Sequence, residues 1–339
     1  MQLSRLEFAA LALIGSTIPM EGYAGEVGGT FPDRPITLVV GYAAGGGADT
    51  LARLLAERMA QDLRQKVVVE NRPGAASSIA AGSVARAAGD GYTLYVSTHP
   101  TPPRAAAADD AGAGGNTCVA AHERDAGSLV PIALLATVPN VLVVGPQAPI
   151  SDIDTLVTLA KTYPRMLTFG SPGVGSPPHL LGELFLRRTQ TELLHVPYRG
   201  GALAIPEVIA GRVDVLFISL PGALPHLRAG TVRGLAIMSR QRATAIDTIP
   251  TMEEAGVPGI DLETRFGLMA PPGTPPHVIA RLNKSVNAAL MTATLQEAFV
   301  ARGYVAPGGP NTPEFFKALV AGEAGKWGAI APGTGVAGN

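Results

Sequence analysis

The chain has 339 residues, 47% of them hydrophobic and 16% charged, with a formal net charge of −1. That is more chain than a single core usually supports, so two lobes are expected, and the apolar content excludes a disordered protein. The near-zero charge excludes the basic field that a nucleic-acid backbone requires.

The first residues, "MQLSRLEFAALALIGSTIPMEGYAGEV", carry Arg5, an apolar stretch from Phe8 to Gly15, and small residues at Gly22-Tyr23-Ala24. This is the pattern of a secretory signal peptide over residues 1–24, with an ordinary N-terminal helix as the alternative. The apolar run is far shorter than a bilayer span. A signal peptide implies an exported protein. The single cysteine, Cys118, cannot form an internal disulfide, and no Cys/His cluster has metal spacing, so neither a metal nor a cofactor is expected.

Next, apolar runs of strand length alternate with helical periodicity. Strands are predicted at Ile36–Tyr42, Lys66–Glu70, Tyr92–Thr98, Asn140–Val144, Leu167–Gly170, Val213–Ser219 and Val232–Met238. Helices are predicted at Asp49–Arg64, Ser77–Ala87, Ile153–Tyr163, Ser176–Arg188, Ala202–Ala210 and Pro221–Ala229. Near-continuous apolar strands alternating with helices point to an α/β fold with mostly parallel sheets. Thr101–Gly127 is Ala/Gly-rich without periodicity and reads as a loop near a lobe boundary. The last quarter turns helical again, with Thr312 as an N-cap and Pro313 at the first helical position. These helices are expected to pack back on the first lobe. That makes lobe 1 discontinuous, residues 27–126 plus 246–339, with lobe 2 at 127–245; two sequential domains are the alternative.

Two stretches share one pattern of strand, glycine loop and helix start: "GYAAGGGADT" from Gly41 and "GSPGVGSPPHLL" from Gly170. Each helix start is expected to aim unpaired N–H groups and a partial positive charge at a cleft, together a receptor for a small carboxylate. A P-loop is excluded because Ala48-Asp49 follow Gly47 where Lys-Ser/Thr belong. The dinucleotide fingerprint fails because Gly41, Gly45, Gly46 and Gly47 lack its spacing. Asp49 reads as a first-turn acid or as a ligand contact. Ser176 and His179 are three residues apart, with no G-x-S-x-G elbow. They read as ligand donors or a cap, with a hydrolase using the pair as the alternative. In "HVPYRGG", Tyr198 and Arg199 could meet a ligand, or pack and face solvent respectively.

These residues resemble the Bug family, the extracytoplasmic solute receptors of tripartite tricarboxylate transporters. The matching stretches include "FPDRPITLVVGYAAGGGADTLAR", "SPGVGSPPHLLGELF", "HVPYRGGALAIPEVIAGRVDVLF" and "GLMAPPGTPPHVIARLN", and run from about Phe31 to Gly328. The resemblance implies a two-lobed periplasmic-binding-protein fold, a monomer that delivers a small organic acid to membrane transporter subunits without turnover. Its ligand could be a dicarboxylate, a tricarboxylate, an amino acid or an aromatic acid, and a signalling partner could replace the transporter. The ligand role carries over to Tyr42, Ala44, Gly45, Gly46 and Asp49; to Ser171, Gly173, Gly175, Ser176 and His179; and to Tyr198 and Gly200. Thr98, Ser219 and Phe266 follow as cleft-facing candidates. The sequence departs from the family at Ala43 and Ala44, where prolines are usual, at Ala76 and Ser77, where glycine is favoured, and across Thr101–Gly127.

Overall fold

The computed structural model describes residues 31–99 and 128–328. The signal-like N-terminus, Cys118 and Thr101–Gly127 lie outside the described residues.

The described residues from Pro32 onward form one compact unit built on two five-stranded sheets. The first sheet has the order β2-β1-β3-β10-β4, with β1 at Ile36–Val40, β2 at Val67–Asn71, β3 at Thr93–His99, β4 at Val130–Val138 and β10 at Thr264–Ala270. The second has the order β7-β6-β8-β5-β9, with β5 at Asn140–Val144, β6 at Thr168–Ser171, β7 at Leu194–Pro197, β8 at Val215–Ser219 and β9 at Arg233–Met238. In the first sheet only β10 runs against its neighbours. In the second only β5 does. Each is the first strand after the chain changes sheets, so the two halves repeat one topology.

The chain passes from the first sheet to the second at Pro139. The sequence places the start of lobe 2 at residue 127, but Val130–Val138 pairs with β10 and belongs to the first sheet. That strand is one apolar run with its turn only at Pro139, so it extends the sheet it entered. It returns between β9 and β10, and Asn140 ties the two crossovers together: its Oδ1 accepts the Thr264 hydroxyl at 3.1 Å and its amide donates to the Leu262 carbonyl at 3.4 Å.

Helices cover the sheets: α1 at Gly47–Leu63, α2 at Ser78–Ala85, α3 at Ile153–Thr162, α4 at Pro177–Thr189, α5 at Gly201–Ile209, α6 at Leu220–Arg228, α7 at Pro276–Leu290, α8 at Ala293–Arg302 and α9 at Pro313–Gly328. Central strands such as β5 are buried at every position, as expected when both faces are covered, whereas the edge strand β2 alternates. Phe169, Phe185 and Phe217 fill one face of the second sheet, with Phe169 edge-on to Phe217. Ile205, Val208, Ile218 and Leu224 fill the other. The Thr312 cap is observed: its hydroxyl accepts the Phe315 N–H at 3.1 Å.

Candidate functional site

The two sheets meet at the carboxyl ends of β1, β3, β6 and β8. A small cavity of about 40 Å³ lies there, and its wall includes Tyr42, Gly46, Gly47, Ala48, Thr98, Pro172, Pro177, Pro178, Gly201, Ile218, Ser219, Gly222, Thr264 and Phe266. None of these carries a formal charge.

The first glycine loop is held from behind. Gly46 is the N-cap of α1 and offers no side chain to cap it. Asp49, in the first turn, reaches back instead: Oδ2 accepts the Gly45 N–H at 3.0 Å and Arg53 Nε at 3.0 Å, and Oδ1 accepts Asn71 Nδ2 at 3.0 Å. Asn71 also donates to the Tyr42 carbonyl at 3.0 Å. Burial works against the charged form of Asp49, yet the hydrogen bonds from Arg53, Gly45 and Asn71 outweigh it and hold the carboxyl below its usual range. Asp49 is buried, and its oxygens are occupied by the loop it supports. Gly47 and Ala48, in the first turn, have N–H groups with no partner inside the helix, and both line the cavity.

The second glycine loop is satisfied internally. Ser176 caps α4: its hydroxyl accepts the His179 N–H at 3.4 Å and donates to the Gly173 carbonyl at 2.7 Å. The next two residues are Pro177 and Pro178, which have no N–H. The Gly175 N–H donates to His179 Nδ1 at 3.0 Å, and the Ser176 N–H to the Gly173 carbonyl at 3.1 Å. The sequence expectation that this loop aims unpaired N–H groups at the cleft therefore fails. The reason, two prolines at the first helical positions, is written in "GSPPH" itself. What α4 shows the cavity is proline rings.

The donors on this side come from two other helix starts. Ser219 is the N-cap of α6 but caps nothing with its side chain, and its hydroxyl lines the cavity. Leu220 N–H is taken by the Pro139 carbonyl, at 2.9 Å; Pro221 has none, so Gly222 supplies the free first-turn N–H. Gly201 opens α5 beside them. A side chain at Gly47 would lie 3.0 Å from Ser219 Oγ and 3.7 Å from the Gly222 nitrogen. The starts of α1 and α6 thus approach each other closely at the cavity, with α5 beside them.

The remaining expected site residues sort by position. Tyr42 and Thr98 share a 3.1 Å hydroxyl–hydroxyl bond on the cavity wall, and burial pushes the Tyr42 pKa up to about 12. Phe266 lies opposite Thr98 in the strand register. Ala44 and Gly45 are exposed at the outer tip of the loop. Ser171 is fully buried behind the second loop, bonded to His195 Nε2 at 2.7 Å. Tyr198 turns away and packs against the core beneath α5, with its ring edge close to Gly170. Arg199 is exposed and acts through its carbonyl, which accepts the Ala43 N–H from the other lobe at 3.1 Å. Gly200, at φ +132°, lets that approach happen: a side chain there would meet the Ala43 nitrogen at 3.0 Å. Gly173, at φ +145°, likewise passes Ala76. The loops that follow the two sheets touch here.

His179 and His195 meet with ring centroids 4.1 Å apart and planes tilted by 32°, and His195 stacks on Phe169 at 4.6 Å. Burial pushes His179 down to about 4; burial and then the neighbouring His179 push His195 to about 3. At 3.6 Å from His179 Nε2, Glu183 is itself raised by burial, so this contact joins a neutral imidazole to a reluctant carboxyl. Ser176 makes no hydrogen bond to the His179 ring; the pair has the geometry of a helix cap, not of a nucleophile and its base.

Sequence reasoning missed Gly47, Ala48, Gly201, Gly222, Thr264 and Ile218, and the prolines Pro172, Pro177 and Pro178. Ser219-Leu220-Pro221 carried a readable signal, an N-cap residue followed by an early helical proline. Thr264 carried none, since its place depends on a strand returning from the far lobe.

Comparisons with known proteins give the same architecture. The profile described as "Tripartite tricarboxylate transporter family receptor" matches residues 51–335. Protein BugT of Bordetella pertussis is 35% identical over 326 residues, covering 96% of this chain and 97% of its own. Among solved structures, a Rhodopseudomonas palustris protein with adipate is 33% identical, with a TM-score of 0.81 over 90% of this chain and 98% of its own. MatC of the same organism, with bound malate, is 31% identical, with a TM-score of 0.80 over 88% and 99%. The chain belongs to the tripartite tricarboxylate transporter receptor family.

Proposed function

We propose that this receptor works in the periplasm, closing two lobes over a small organic carboxylate and delivering it to membrane transporter subunits. Lobe 1 carries the first sheet and lobe 2 the second, with the crossovers at Pro139 and between β9 and β10 as the hinge. The observation that carries this reading is the convergence of the α1, α5 and α6 starts on one uncharged cavity. Helix starts present N–H groups and a partial positive charge, which suits an anion of carboxylate size. Gly46, Gly47, Ala48, Gly201, Ser219 and Gly222 would hold the carboxylate, with Tyr42 and Thr98 on the flank and Phe266 beneath. Asp49, Ser171, Ser176 and His179 would act by shaping the loops, and Gly173 and Gly200 by letting the lobes meet. The adipate and malate bound to the neighbouring structures support the ligand class.

Function then consists of binding and release. Ligand bridges α1 and α6 only when the lobes are together, so it draws an open–closed equilibrium toward the closed form that a transporter would engage. A thermal-shift screen of organic acids tests this. A ligand at a hundredfold its dissociation constant adds about 2.7 kcal/mol to stability. Stabilisation by at least one carboxylate, lost in Ser219→Ala, is expected; stabilisation by nucleotides alone would contradict the reading.

A further inference from the structure

The first turn of α1 has an anchor that its own loop does not supply. The Tyr304 hydroxyl donates to the Gly47 carbonyl at 2.6 Å, in a buried bond between residues 257 positions apart. Burial raises the Tyr304 pKa, so the phenol keeps its proton and remains a donor. The Thr50 side chain and the Leu51 backbone are its other hydrogen-bonding neighbours. Tyr304 is not part of the cavity wall.

The ring is fixed in turn. Phe299 packs on it with centroids 5.3 Å apart. Gly303, at φ +75°, ends α8, and a side chain there would lie 3.0 Å from the Leu220 side chain at the start of α6. Val305 pairs with Thr137 through two backbone bonds, of 2.9 and 2.8 Å, just before the crossover at Pro139. One short segment thus touches the end of β4 and the starts of both α1 and α6.

The Gly47 oxygen and the Ala48 N–H belong to one peptide group. A trans peptide is planar, and its C=O and N–H point in opposite directions. A donor fixed on the oxygen therefore sets the direction of the N–H. It also polarises the amide, because hydrogen bonds in a chain strengthen one another. The Ala48 N–H has no partner inside the helix, and Ala48 lines the cavity. We infer that Tyr304 is a positioning residue for ligand binding: through the Gly47–Ala48 peptide it aims and strengthens an α1 donor at the carboxylate without touching the ligand. This deepens the proposed receptor function and rests on it.

Two variants separate the hydroxyl from the packing. Tyr304→Phe removes the hydroxyl and keeps the ring; Phe299→Leu loosens the packing and keeps the hydroxyl. Titration calorimetry of the purified proteins uses adipate, malate and hexanoate as probes. The dissociation constant of whichever binds is expected to rise about three- to tenfold in Tyr304→Phe and less than about twofold in Phe299→Leu. Amide NMR of the ligand-free proteins gives a readout that packing alone would not move: in Tyr304→Phe the Ala48 amide proton should shift upfield as its peptide loses polarisation. An unchanged dissociation constant in Tyr304→Phe, an equal loss in Phe299→Leu, or an unmoved Ala48 amide overturns the inference and leaves the receptor reading intact. Binding of none of the three probes, by a parent protein that melts cooperatively, overturns both.

Discussion

The two glycine loops look alike as sequence and do opposite work. The loop at Gly41–Asp49 bonds its Ala43 and Gly45 amides but leaves those of Gly47 and Ala48 free: its one acid reaches back to Gly45 and Asn71, and the first turn of α1 faces the cavity uncapped. The loop at Ser171–His179 spends its amides on itself and closes its helix with two prolines. The lesson concerns inventory. A strand–glycine–helix pattern offers an anion site only after caps, prolines and side-chain acceptors have been subtracted from its N–H groups.

The largest effect expected from breaking this contrast is at Asp49. Asp49→Ala leaves Gly45 N–H and Asn71 without an acceptor and should cost about 2–3 kcal/mol of stability, with ligand affinity falling as the loop loosens; chemical denaturation and calorimetry measure both. The second loop should instead show itself in acid. His179 and His195 are held neutral in the fold, pushed down to about 4 and 3, whereas in the unfolded chain they protonate near pH 6.5. The unfolded state binds more protons below that point, so the pair's contribution is complete above pH 6.5 and drains away toward pH 3. Melting temperatures across that window should fall less in His179→Gln than in the parent.

At the contact between lobes, Gly200→Ala forces a side chain into φ +132° and toward the Ala43 nitrogen. It should lose about 1–3 kcal/mol of stability and about tenfold in ligand affinity through poorer closure. Ser176→Ala should cost only about 1 kcal/mol as a lost cap, with the dissociation constant unchanged within about twofold; a collapse of binding would make the second loop a direct ligand contact after all. The smallest effect is expected from salt. With no charged side chain on the cavity wall, raising ionic strength from about 0.05 to 0.5 M should move affinity less than about threefold, since screening acts mainly on exposed charges.

Much of the architecture could be read in advance because its signals are local. Apolar runs such as Asn140–Val144 and turn residues after each strand fix the α/β alternation, and the Thr312-Pro313 cap marks α9. The crossover at Pro139 was harder, because neither Val130–Val138 nor Thr264–Ala270 was among the expected strands, and only their pairing assigns both to the first sheet. The site was half legible. Tyr42, Gly46, Thr98, Ser219 and Phe266 stand at strand ends where ligands of such sheets gather. Ser171 and Tyr198 stand at similar places but turn to His195 and to the α5 core, a choice made by packing that no spacing encodes.

The most direct measurement is amide NMR of the labelled protein titrated with hexanoate or adipate, whichever raises the melting temperature. Bound carboxylate should shift the amide resonances of Gly47, Ala48 and Gly222 most, with those of Gly173 and Gly175 moving little. The largest shifts at Gly173 and Gly175, with α1 unmoved, would contradict the account.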